Sequence, residues 1–349
     1  MLIYYFLFLL PVSALFFPKQ PNKVVKNYFW FITGLFFIFI IGLRFEIGPD
    51  WFSYMYYLER AEGVSLWSSY GRVGTDPAYI ILNLIGANVF GGIFFVNIVA
   101  AAIIISCIIY FARKQPISLL AFVVSVPYMI IVVSMGYSRQ AIALGVELLA
   151  IIALLNGNNR KFIFYVLIAA LFHKTAIILF PLAALMTNRN KGLTYLYIGI
   201  IFVMAFIFIL GEKQEFLYET YVERQKSSSG GMIRVFMNVV PALLLFQFKD
   251  RLGFRENEKK FWIIISCGAL ACIPLLAVSS TVADRIALYF IPLQIVLFSR
   301  LQYLASDIFN KNIIVVSVIA YYGLVLIVWL NFAGHTEAWI PYKNVIFQH

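Results

Sequence analysis

Arg44, Arg139, Glu147, His173, Lys174 and Arg285 sit at or inside the ends of long apolar stretches. A charged side chain at bilayer depth costs roughly 2.5 to 3.5 kcal/mol on insertion scales, so it persists where it faces a protein interior or a watery cavity, and there it marks function. Arginine presents a planar fork of N–H donors that grips oxyanions two atoms at a time. Arg44 ends one apolar span, while Arg139 and Arg285 each begin another, and all three fall at one depth. Together they could line one cationic, outward-facing pocket. Each taken singly also suits a helix anchor that snorkels to the headgroups. Ala143 and Glu147 follow Arg139 at helical spacing, which puts an acid on the same face. That acid either pairs with Arg139 or lines a hydrated path.

Proton-handling groups near the same side are Asp50, Glu46, Asp284 and His173. Asp50 comes first among them, although an Asp after the Gly48-Pro49 step equally suits the cap of a helix starting at Trp51. Histidine is the side chain that titrates near neutrality, and His173 and Lys174 lie together halfway along an apolar segment. The pair reads as acid–base or anion-binding machinery, against a packed structural role. The chain carries no Gly-rich phosphate loop, no His or Cys cluster at metal-ligand spacing and no internal repeat, so neither metal nor cofactor is expected. Cys107, Cys267 and Cys272 all fall in apolar runs and read as packing residues.

The elements that must position these groups follow from composition. Hydrophobic residues make up 62% of the 349 residues and charged ones 12%, with a mean hydropathy of +0.89. That balance specifies an all-α polytopic transmembrane helical bundle, one integral membrane domain over 1–349, because a membrane barrel would alternate every second residue. Ten full spans are expected near 1–17, 28–43, 92–112, 117–134, 138–155, 193–211, 232–248, 261–279, 284–302 and 312–332. The first lacks a basic leader and a small-residue cleavage site and reads as a retained helix.

Charge sets the orientation. One set of alternate connections holds most of the 27 Lys and Arg residues against four acids, Asp250, Glu256, Glu258 and Asp307, and is therefore cytoplasmic. Both chain ends then lie outside, and the net charge of +11 reflects membrane topology rather than nucleic-acid binding. Two further segments, 77–90 and 162–186, cannot cross simply without reversing this pattern and are expected as re-entrant or broken hairpins. The first belongs to an outer loop, 44–91, which also carries an interfacial helix from Trp51 to Ala61, with Trp51, Phe52, Tyr56 and Tyr57 suited to the headgroup level. A second outer loop, 212–231, holds Tyr218, Tyr221, Arg224 and a Ser/Gly run that suits a lid.

Four stretches in order carry a resemblance: RFEIGPDWFSY from Arg44 to Tyr54, GYSRQ from Gly136 to Gln140, FHK from Phe172 to Lys174 and DRIALYF from Asp284 to Phe290. With the tail WIPYK from Trp339 to Lys343, they resemble the EpsG family of Wzy-like polysaccharide polymerases. The chain departs from that family's Gly-Thr-Asp-Tyr element by carrying Pro49 and Trp51, while Asp50 and Tyr54 remain.

The resemblance implies a GT-C-like fold of the Wzy/WaaL type and a metal-independent glycosyltransferase. Its substrates would be polyprenyl-diphosphate-linked oligosaccharides, joined on the outer face of the cytoplasmic (inner) membrane, with membrane lipids and a chain-length regulator as partners. Departure of a diphosphate without a metal calls for guanidinium or ammonium groups. Arg44, Arg139, Lys174 and Arg285 are the expected diphosphate contacts, Asp50, His173 and Arg139 the catalytic groups, and Tyr54, Tyr137 and Tyr289 the sugar-stacking rings. Two rivals share parts of this pattern. A transferase of single sugars from a polyprenyl monophosphate would use Glu46 and Asp50 with a metal, and a lipid-oligosaccharide flippase would need the cationic cavity but form no bond.

Overall fold

Apolar stretches of this length satisfy their backbone groups only as helices. The computed structural model describes residues 1–16, 22–65, 73–186, 192, 196, 199, 230–334 and 336–347. Among these it is helical, with no β-strand beyond one isolated bridge, Arg44 to Asn344. Among the described residues, seven helices are long and apolar enough to cross a membrane, which makes the chain multi-pass. The expected span at 193–211 lies outside the described residues except for 196 and 199. The second loop, with Tyr218, Tyr221 and Arg224, lies outside them except for its last two residues.

Two compact units result, one formed by Met1–Val146, Leu171–His173 and Val316–His349, the other by Glu147–Ala170 and Lys174–Val315. The first begins with α1 (Leu2–Leu15) and α2 (Lys23–Gly42), followed by α3 (Trp51–Ala61), α4 (Pro77–Asn88) and α5 (Ile93–Ala112). It continues with α6 (Ser118–Ser125) and the start of α7 (Ser138–Leu155). Small residues let helices approach closely: a Cβ on Gly42 would stand 2.8 Å from Ile98 Cα of α5, and one on Gly145 of α7 would stand 3.1 Å from Ile104 Cα.

After α6 the chain widens into a π-helix, Val126–Ser134. Pro127 has no N–H to give and crowds the preceding turn, and Ser134 Oγ donates 2.8 Å to the carbonyl of Met129, five residues back. The expected span at 117–134 is therefore one apolar passage with two helical pitches.

The 77–90 segment is a single unbroken helix of 12 residues, about 18 Å long against the ~30 Å of a hydrocarbon core. It packs on α3, and Asn88 ties the two ends by donating to Ala61 O at 3.0 Å and accepting from Gly63 N at 2.9 Å. On α3, Trp51, Tyr54, Leu58 and Ala61 are buried while Phe52 and Tyr56 are exposed. Trp51 was expected at the headgroup level; it is 4% exposed and packs edge-on to Phe45 instead. The 162–186 segment is broken. α8 (Asn159–Phe172) stops, His173 stands outside helix, and a 3-10 turn (Lys174–Leu179) leads into α9 (Pro181–Leu185).

The second unit contains α10 (Gly231–Phe248), α11 (Glu256–Val278), α12 (Ser280–Ala287) and α13 (Ile291–Arg300), and the first part of α14 (Ile308–Phe332). Val235, Val239, Cys272, Ala283 and Ala287 form its apolar centre. Three of the four acids in its basic connections are paired: Glu258 with Arg300 at 2.6 Å, and Asp250 and Glu256 with Lys259.

The tail after α14 returns to the turn between α2 and α3. Phe45 N donates to Lys343 O and Val345 N to Leu43 O, each at 3.0 Å, and Gly48 N donates to Ala338 O at 2.8 Å. Tyr4 and Tyr342 hydroxyls donate to Trp339 O and Ile40 O. Trp339 lies over Gly136, where a Cβ would stand 2.5 Å from its ring. Gly48, at φ +100°, faces the same turn, and a Cβ there would stand 2.5 Å from Met135 O. Gly48→Ala adds backbone strain to a backbone clash, so it is expected to cost about 2 to 5 kcal/mol. Thermal unfolding of the purified protein checks this, since an unshifted transition would mean that the turn relaxes freely.

Candidate active site

Two arginines of the first unit meet at one turn and are used differently. Arg44 follows the end of α2 and is fully buried. Its Nε donates to Met135 O at 2.9 Å, its Nη1 to Ile41 O at 2.7 Å, and its Nη2 to Asn97 Oδ1 at 3.0 Å and Ser138 Oγ at 2.8 Å. Burial pulls this guanidinium down to about 10, still charged at neutral pH. All three nitrogens donate to protein oxygens, through four hydrogen bonds. Arg44 was expected to meet phosphate; here these hydrogen bonds tie α2, α5 and the start of α7 together.

Arg139 is the next residue after Ser138. Its Nη1 donates to Asp76 Oδ2 at 2.9 Å and to Thr75 Oγ1 at 2.8 Å, and its Cζ stands 5.3 Å from the Tyr57 ring centre. Nε is buried and, like Nη2, has no hydrogen-bond partner among the described residues. Nε and Nη2 form one edge of the guanidinium, the edge that pairs side-on with two oxygens of a phosphate or carboxylate. Gln140 Nε2 is a second buried donor without a partner among the described residues. Both donors belong to the first turn of α7, where the helix dipole favours an anion.

Tyr54 and Tyr79 complete the surroundings, with ring centres 5.5 Å apart. The Tyr54 hydroxyl donates to Asp50 Oδ2 at 3.4 Å and meets the backbone N–H of Arg139. Burial, then Asp50, hold this phenol well above its ordinary range, so it stays a donor. Asp50 stands at the start of α3 but its side chain caps nothing there, which removes the capping role weighed from sequence. Glu46 is tied to Lys343 at 2.5 Å. Arg139 finds its carboxylate in Asp76, not in Glu147; Glu147 is fully buried and neither of its oxygens has a hydrogen-bond partner among the described residues.

Of the other expected residues, Tyr137 is half-buried beside Trp339, and His173, also half-buried, stands at the break after α8. Lys174, Arg285 and Tyr289 belong to the second unit. There Arg285 is exposed on α12, and Asp284 is held by Arg234 at 2.7 Å. The Tyr54 and Tyr289 rings are 2% and 1% exposed, and the Tyr289 hydroxyl shares a hydrogen bond with Thr175 at 2.8 Å. Of the three rings expected to stack on sugar, Tyr54 and Tyr289 are buried and Tyr137 is half-buried.

A family model described as the EpsG family matches residues 27–344, nearly the whole chain. The chain belongs to the EpsG family. Searches of curated proteins and of solved structures return no match. In this EpsG chain, the stretches from Arg44, from Gly136 and from Trp339 are far apart in sequence yet interlock around one turn of the first unit. Thr75, Asp76 and Arg234 were missed from sequence, and Tyr57, expected at the headgroup level, lies by Arg139 instead. Asp76 before Pro77 has the pattern of an ordinary helix cap, and only its missing cap bond shows that the carboxylate is used elsewhere. Among the described residues, no three His, Cys, Asp or Glu groups gather as metal ligands would.

Proposed function

We propose that this membrane protein is a polysaccharide polymerase that joins polyprenyl-diphosphate-linked oligosaccharides on the outer face of the cytoplasmic membrane, as a metal-independent glycosyltransferase of GT-C type with both chain ends outside. Family membership supports the polymerase class. The observation that carries the chemistry is the Nε–Nη2 edge of Arg139 at the start of α7, whose donors have no hydrogen-bond partner among the described residues. An acceptor hydroxyl attacks the anomeric carbon, its oxygen forms the new bond, and the bond to the diphosphate oxygen breaks with inversion. The proton passes to Asp50 or His173, and the diphosphate leaves with its new charge against Arg139. Lys174 and Arg285, on sequence grounds, are further diphosphate contacts.

The metal-assisted single-sugar rival would need both Glu46 and Asp50, and Glu46 is bound to Lys343. Proteoliposomes loaded with lipid-linked repeat units test the reading. A product ladder with release of polyprenyl diphosphate, at a rate unchanged by EDTA, is expected. Movement of the lipid without bond formation would indicate a flippase. Addition of one sugar from a monophosphate donor would indicate the single-sugar transferase, and a rate lost to EDTA and restored by Mg²⁺ or Mn²⁺ would end the metal-independent mechanism.

A further inference from the structure

Arg139 reaches its place through a long side chain with four rotatable bonds, and nothing on α7 itself fixes its head. The fixing groups come from elsewhere. Thr75 and Asp76, just before α4, both accept from Nη1, at 2.8 and 2.9 Å, while Tyr57 of α3 lies under the guanidinium plane. Asp76 is 8% exposed and makes no cap bond to its own helix, so its carboxylate serves the guanidinium rather than α4. An acid bound at the Nη1–Nη2 end would compete with a ligand for the fork. This acid takes Nη1, in company with a neutral hydroxyl, and leaves the Nε–Nη2 edge without a hydrogen-bond partner among the described residues. The pair therefore holds the rotation of the planar group without occupying the edge that an oxyanion needs.

We propose that Asp76 and Thr75 are positioning residues that aim the Nε–Nη2 edge of Arg139 at one phosphate of the lipid diphosphate. This rests on the proposed function, because it assumes that Arg139 meets that phosphate. Asp76 also pairs its charge with the guanidinium, so the cation does not depend on an anion from outside to be held.

Binding of undecaprenyl diphosphate to the full-length protein in nanodiscs, measured as a double-mutant cycle, tests it. Arg139→Ala is expected to weaken binding at least ~10-fold, and Asp76→Ala and Thr75→Val by roughly 3- to 10-fold, with no change in unfolding temperature, in the range seen when groups supporting a ligand-binding side chain are removed. The decisive arm is the double variant. Asp76→Ala placed on Arg139→Ala is expected to weaken binding no further, whereas a purely structural role would lower the double variant as much as the single one. Additive losses would overturn the positioning role, as would wild-type binding by Asp76→Ala. Should Asp76→Ala fail to fold, Thr75→Val decides, since it removes one hydroxyl and no charge; unchanged binding by that variant would overturn the proposal. Wild-type binding by Arg139→Ala would instead remove the diphosphate reading itself, while a loss for Arg139→Ala alone would remove only the positioning step.

Discussion

Arg139→Ala is expected to abolish polymer while lipid-linked single repeat units persist and the amount of protein in the membrane stays unchanged. A donor aimed at charge that develops in the transition state is worth roughly 10²- to 10³-fold in turnover, and Arg139 has such an edge unspent. Its Nη1 contacts are to Thr75 and Asp76, and its side chain is about a quarter exposed, so their loss takes little from the packing of α7. Arg139→Lys should fail nearly as badly. A lysine keeps the charge and could reach Asp76, but it has no planar edge on which to take two oxygens at once. The check is a ladder of lipid-linked products resolved by length, run beside an immunoblot of the same membranes. Long chains from either variant would sink the assignment.

What the sequence told and what it withheld follow from the kind of force involved. Insertion into a bilayer acts on segment hydropathy, so the helices at 23–42, 93–112 and 138–155 lie within a few residues of their expected positions. Local backbone chemistry was partly visible: basic residues at both ends of 162–186 called for a broken segment, and the helix does stop at His173. The π-turn after Ser125 was not visible, because Pro127 within a helix signals a disturbance without saying which pitch results.

Least legible was the division of labour between Arg44 and Arg139. Both stand at helix ends beside aromatic residues, and a linear pattern treats them alike. What separates them is whether distant oxygens, Met135 O and Asn97 Oδ1 in one case and Asp76 Oδ2 in the other, use up the fork or leave an edge open. The docking of the tail was hidden for the same reason. The bond from Gly48 to Ala338 O is a backbone contact across nearly the whole chain and leaves no local periodicity to read. Family resemblance marked the stretches that meet there without saying that they touch.

Arg44→Ala should therefore fail differently from Arg139→Ala. Removing its guanidinium strips donors from Met135 O, Ile41 O, Asn97 Oδ1 and Ser138 Oγ at once, inside a site with no solvent exposure. Each unsatisfied buried polar group costs about 1 to 3 kcal/mol, so even partial relaxation leaves a loss of roughly 3 to 5 kcal/mol. Arg44→Lys should recover only a fraction, because one ammonium on a single stem cannot serve acceptors on α2, on α5 and at the start of α7 together. The expected readout is a lower unfolding temperature and less protein in the membrane, with polymer falling in proportion to the folded protein that remains. Arg139→Ala takes a donor only from Thr75 and Asp76, beside a partly exposed side chain, and should lower the unfolding temperature much less. An Arg44→Ala protein with wild-type abundance and thermal stability but no polymer would reverse the two roles, and would make Arg44 the group that meets the phosphate.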